Sequence, residues 1–166
     1  MSVVDAFLST WSRARATFGE GTPQDGDGLD NSALFESLRD EVEAAGPGSD
    51  WTGSGAEGYR DQNARQARTL GAMAELDRRL AAEVDRSAEV VQAGRRELDA
   101  VRQWVVDAAA TVPATPEGER MLWPVVSKGA GEIAEIIQRS HRDLEAIAAR
   151  MRALGAEYEE LGRPGL

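Results

Sequence analysis

The chain contains no cysteine, one histidine and, at Lys128, one lysine. Without thiols it has no disulfide, no thiolate zinc site and no cysteine nucleophile. That absence leaves the compartment open, because it suits cytosol and cell envelope alike. No stretch reaches the ~20 apolar residues that a membrane-spanning helix needs. The first residues, Met1-Ser2-Val3-Val4-Asp5-Ala6-Phe7-Leu8, lack a basic region and a long apolar core, so no classical signal peptide is expected. Positive charge is scarce: 19 Lys+Arg stand against 29 Asp+Glu, a net charge of −10. Nucleic acid and anionic membrane surfaces both demand a basic stripe, and none is evident. Gly-rich phosphate loops, nucleophile elbows and paired-carboxylate clefts are missing too. The sequence therefore predicts no catalytic residue, no metal and no cofactor.

What remains is rich in alanine, leucine, arginine and glutamate, which favour helix. The 166 residues suffice for one helical domain with a modest core. Residues 2–18 place Val4, Phe7, Leu8, Trp11 and Ala14 at helical spacing. A turn-rich stretch follows to residue 30. Asn31 or Ser32 then offers an N-cap for a short amphipathic helix carrying Leu34, Phe35, Leu38 and Val42, which Gly46-Pro47-Gly48 stops. Trp51-Thr52-Gly53 separates it from a long proline-free segment, about 55–110. A helix of ~55 residues is about 80 Å long and must pack along its length against other helices.

That segment carries heptads. Val84, Val91, Leu98 and Val105 recur every seven residues, with Leu80, Ser87, Gly94, Val101 and Ala108 as a second seam. Glycine at 94 costs ~1 kcal/mol relative to alanine within a helix, which argues for a bulky neighbour or a close approach there. Thr115 as N-cap and Pro116 at the first helical position start a further helix, with Pro124 expected to kink or interrupt it early. Ile133, Ile137, Ser140, Leu144, Ile147, Met151, Leu154, Tyr158 and Leu161 then alternate steps of four and three. Gly162-Arg163-Pro164-Gly165 ends the pattern. The fold class expected is all-α: an elongated antiparallel helical bundle forming a single domain over 1–166. It comprises an N-terminal helix and loop (1–30), a helix-turn-helix hairpin (31–110) and an antiparallel heptad helix (115–161). The residues expected to fill its seam are Val84, Val91, Gly94, Leu98, Val101, Ile133, Ile137, Leu144, Ile147, Met151 and Leu154.

The tryptophan-any-glycine turn between helices resembles the WXG-type substrates of type VII (ESX) secretion in actinobacteria. An ordered series from Phe18 to Val106 resembles a narrower group, the EspA/EspE family. It comprises Gly19-Glu-Gly-Thr-Pro, Ser32-Ala-Leu-Phe35, Pro47-Gly-Ser-Asp-Trp-Thr-Gly53 and Ala56-Glu57-Gly58-Tyr59. It continues through Asp61-Gln62-Asn63, Met73-Ala-Glu-Leu76-Asp77 and Val91-Gln-Ala-Gly-Arg95. The resemblance implies a helical protein exported with, or acting beside, an ESX machine by protein–protein recognition. It implies a secreted or envelope location and, as partner, a small helical co-secreted protein or a second copy of the chain. Two departures stand out. The tyrosine-three-residues-acid signal usual in such substrates is not matched, since Tyr59 is followed by Asn63 and Tyr158 by Gly162. Nor does the hydrophobic tail of those relatives appear, so membrane association is not carried over.

Trp51, Gly53 and Tyr59 are the candidate recognition residues, a composite at the hairpin end. A plain structural turn, with glycine supplying a positive φ, is the competing account. His141 and Glu145, spaced i, i+4, read as a solvated pair, because zinc wants three or four ligands. Asp25, Asp27 and Asp30 read as a flexible acidic loop, because Leu29 falls where a calcium loop needs an oxygen donor. Alternative functions are the N-terminal delivery module of a larger toxin, or a cytosolic coiled-coil scaffold.

Overall fold

The computed structural model describes residues 1–163; Pro164 and Gly165, assigned above to the helix terminator, lie outside the described residues. Among the described residues four helices follow in order: α1, Val3–Thr17; α2, Ser32–Ala44; α3, Ser54–Ala110; and α4, Pro116–Leu161, with a 3₁₀ turn at Asp27–Leu29. No strand occurs among the described residues. The chain is an all-α helical bundle, and its packing divides into two compact units. One unites Met1–Gln24 with Ser87–Ala146, and the other unites Asp25–Arg86 with the described residues from Ile147 to Arg163.

The helix ends follow local chemistry. Ser2 caps α1 through a reciprocal box with Asp5, whose carboxylate accepts from the Ser2 backbone N–H at 3.0 Å. Those hydrogen bonds hold the Asp5 carboxyl below its usual range. At α4, Thr115 Oγ1 accepts from the Gly118 N–H at 3.2 Å. The interruption expected at Pro124 does not occur: α4 is continuous through that residue, which sacrifices one ladder bond while burial of Leu122 and Gly129 holds the flanking turns.

In the first unit, Phe7 and Ala14 of α1, Leu98, Val101 and Val105 of α3, and Ile133 and Ile136 of α4 form one core cluster. Each large aliphatic or aromatic side chain buried there contributes roughly 1.5–3 kcal/mol. Gly129 opens the space that Phe7 fills, since a Cβ there would lie 2.9 Å from the Phe7 ring. The Trp11 indole N–H donates to the Leu98 carbonyl at 2.6 Å, and the Arg102 guanidinium lies 5.3 Å from the same ring. The amphipathic face of α1 thus covers the α3–α4 seam of its own chain.

On α4 the burial pattern departs from the expected seam at Ile137. Ile136 is buried, while Ile137 turns outward at 36% exposed. Ile133, Ser140, Ile147 and Leu154 keep an uninterrupted seven-residue rhythm, but in the upper half their companions are Gly129 and Ile136. Two adjacent isoleucines leave that choice open in the sequence. On α3, Gly94, Leu98 and Val101 are buried, whereas Val84 and Val91 are half-buried. Leu144 and Met151 are half-buried on α4.

In the second unit, α3 meets a helix on more than one side, and a second face carries the burial. Ala67, Ala74 and Ala81 recur every seven residues and are buried. Alanine permits very close approach: a Cβ on Gly26 would enter the main chain at Ala81. In the first unit the same spacing runs through Ala88, Arg95 and Arg102, where α3 meets α1 and the loop after it.

Candidate functional site

The second unit carries the turn that the sequence singles out. Helix α2 ends at Ala44, and the chain reverses through Gly48 to Gly53, whose φ of +106° lies where side chains are strained. Three side chains from the first turns of α3 stitch that reversal. Arg60 donates from one guanidinium nitrogen to the Trp51 carbonyl at 2.7 Å and to the Gly48 carbonyl at 3.3 Å. Asn63 Nδ2 donates to the Val42 carbonyl at 2.6 Å, satisfying an acceptor in the last turn of α2. The Tyr59 hydroxyl reaches the Ala45 carbonyl at 3.5 Å, the outer limit of a hydrogen bond. Ala56, wholly buried, is the apolar pivot beneath them.

Trp51 and Tyr59 come together above this pivot. Their ring centroids lie 5.7 Å apart with planes tilted by 44°, within the usual range for an aromatic pair. Yet the pair is not core: Trp51 is 49% and Tyr59 45% exposed. On α2, Leu34 and Leu38 also face outward, Leu34 at 57% exposed. The helix fully buries Ser32 alone. Its amphipathic pattern therefore presents an apolar edge to solvent.

Polar clasps fix the arms of the hairpin. Asp77, buried on α3, accepts from the Asn31 N–H at 3.3 Å and from the Tyr158 hydroxyl of α4. Burial and that bond raise the Tyr158 pKa well above the usual phenol value. Asp85 Oδ1 accepts from the Gly26 N–H at 2.6 Å. Glu83, only 6% exposed, accepts from Arg150 at 2.9 Å and from Arg86, while its Oε2 has no partner. The Arg150 hydrogen bond outweighs desolvation and holds the Glu83 carboxyl below its usual range. In the first unit, Arg95 donates to the Phe18 carbonyl at 2.8 Å and to that of Gly21, tying down the loop after α1.

Spacing alone does not single out Asn63, Asp77 and Arg95 for a role, although all three fall within the stretches that carry the resemblance. Their signal was a polar residue set among apolar or alanine positions at helical spacing. The acidic loop residues serve the backbone: Asp25 accepts from the Asp27 N–H at 3.2 Å and Asp30 from the Ser32 N–H at 2.9 Å. His141 and Glu145 pair at 3.2 Å in solvent. Among the described residues no group of three or more histidine or acidic side chains is placed to hold a metal ion. No helix among them is long and apolar enough to cross a membrane.

The sequence is similar to those of known proteins. The EspA/EspE family model matches residues 18–100. The ESX-1 secretion-associated protein EspE of Mycobacterium tuberculosis is 33% identical over 88 residues, 52% of this chain and 22% of the relative. Its namesake from Mycolicibacterium smegmatis is 30% identical over 123 residues, 74% of this chain and 22% of the relative. The ESX-1 secretion-associated protein EspA of Mycobacterium tuberculosis is 31% identical over 103 residues, 61% of this chain and 26% of the relative. The chain thus spans about a quarter or less of the length of these relatives. No solved structure matches it. The matched segment holds the stitched turn, the Asp77 clasp and the Gly94–Arg95 seat in one ordered series, and the chain belongs to the EspA/EspE family.

Proposed function

We propose that this chain serves an ESX (type VII) secretion system through helix-mediated protein–protein recognition, as a secreted or co-secreted protein. The Trp51–Gly53 turn and Tyr59 form the recognition end. The observation that carries the reading is the Trp51–Tyr59 pair, its rings packed together and left half-exposed while Arg60 ties the main chain at Trp51. Aromatic side chains of this kind supply large contact area at low entropic cost when a partner covers them. The relatives, named as ESX-1 secretion-associated proteins, supply the system. Export without a classical signal peptide, to the envelope or beyond, follows from the same reading. A small helical protein or a second copy is the partner.

The test is fractionation of the native host by immunoblot, in the parent strain and in one lacking the ESX membrane core. The expected result is chain in envelope or culture filtrate in the parent alone, with retention of a Trp51→Ala, Tyr59→Ala double variant inside the cell. Equal distribution in both strains would overturn the secretion reading. Normal export of the double variant would remove the turn from it.

A further inference from the structure

Between α2 and α3 lies a groove with a cavity of 520 Å³. Its floor is built of small residues, Ala64 and Ala67 of α3 among them, so a second main chain can approach closely there. Its walls carry Arg39 from α2 and Arg60 and Arg68 from α3, against a single acid, Glu43. The side chain of Arg39 crosses above Gly71, one helical turn from Arg68. Arg60 is committed to the turn. Arg39 makes only a long contact with its exposed neighbour Asp40, at 3.4 Å. Among the described residues neither Arg68 nor Glu43 forms an ion pair. A positive groove is thus built into a chain of net charge −10.

We infer that this groove receives an acidic, extended segment of a partner protein, with one carboxylate held between Arg39 and Arg68. Guanidinium groups grip carboxylates through paired N–H donors, and two of them on facing walls define a site better than a diffuse field does. The groove runs from Arg68 toward Arg60, a distance of about 12 Å along α3. An extended peptide rises about 3.3 Å per residue, so a second acid three or four residues on reaches the Arg60 end. For this groove, as distinct from the Trp51–Tyr59 end, the general repulsion between two chains of this net charge favours a segment of a different protein over a second copy. The inference extends the recognition reading above. It is scored on purified chain, so its failure leaves the export assay untouched.

The test is calorimetric titration of the purified full chain with a hexaglutamate peptide blocked at both ends, at low and at high salt. Hexalysine and inorganic phosphate serve as comparison ligands. Saturable 1:1 binding of hexaglutamate is expected, weakened at least tenfold by Arg39→Gln with Arg68→Gln and tightened by Glu43→Gln. Ala64→Trp, which fills the groove from an exposed position, should abolish binding while circular dichroism remains that of the parent. Binding unaffected by these variants would overturn the site. So would phosphate displacing the peptide at equal concentration, which marks a simple anion site, or a concentration-dependent dimer that the same variants dissolve.

Discussion

The Phe18 ring lies directly on Gly94: a Cβ added to the glycine would stand 2.8 Å from the ring's Cζ and nearer still to its edge. Gly94→Ala gains up to ~1 kcal/mol of helix propensity but incurs about 1–3 kcal/mol of overpacking. A net fall in thermal midpoint is expected. Combining it with Phe18→Ala should recover part of that loss, because the two residues share one contact. Denaturation of both single variants and the double variant checks this. Strict additivity would contradict the contact.

Tyr158 and Asp77 join α4 to α3 through one hydrogen bond. Tyr158→Phe leaves a buried carboxylate oxygen short of a donor and should cost about 1–3 kcal/mol. The phenol pKa is raised in the folded state, so the stability it contributes is complete below the ordinary tyrosine value near 10. That contribution is lost as pH rises through this value toward the folded one. Urea denaturation between pH 8 and 11 should show a steeper decline in the parent than in Tyr158→Phe.

Glu83 titrates in the opposite sense. Its folded pKa is depressed, so its contribution is present above the unfolded carboxylate value near 4.3 and disappears as pH falls through the folded one. Glu83→Gln should flatten the acid limb of the thermal midpoint below pH 4.5. It should also lower the midpoint at neutral pH, because Arg150 and Arg86 lose their shared acceptor.

At the turn, stability and recognition should separate. Trp51→Ala with Tyr59→Ala removes two half-exposed rings and is expected to leave the fold intact by circular dichroism. Gly53→Ala forces a methyl into a positive-φ conformation and should cost about 1–2 kcal/mol. If the double variant unfolds the chain and Gly53→Ala does not, the rings are core and the recognition reading fails.

The helices are legible in the sequence through their periodicity and punctuation: Thr115 and Pro116 as a start, Gly46-Pro47-Gly48 as a stop; the Ser2 cap of α1 is not singled out there. The α1 face was legible as well, since Phe7, Trp11 and Ala14 share a helical stripe. Which of two neighbouring apolar residues faces the core was not. Ile136 and Ile137 differ by 100° around the axis, and only the partner helix decides between them. On α3 the large residues Val84 and Val91 drew attention, but Ala74, Ala81 and Ala88 hold the buried positions. A helix flanked on two sides has two seams, and the alanine one is silent in hydropathy. Asp77, Glu83 and Arg95 are hidden for a different reason: apart from the Arg86 neighbour of Glu83, the partners that clasp them lie 46 to 81 residues away in the chain, beyond the reach of any local pattern.

The alanine stripe and the nearly unburied α2 have a joint thermodynamic meaning. Methyl groups hide little oil from water, so at about 25 cal/mol per Å² the face they offer to α2 contributes little adhesion. What fastens that arm is directional: Asp77 to Asn31, Asn63 to Val42, and Arg78 to Glu36. Such fastenings let go one by one and are replaced by water at small penalty. The arm can therefore peel away without a greasy wound, and its amides should exchange with deuterium well before those around Leu98 and Val105.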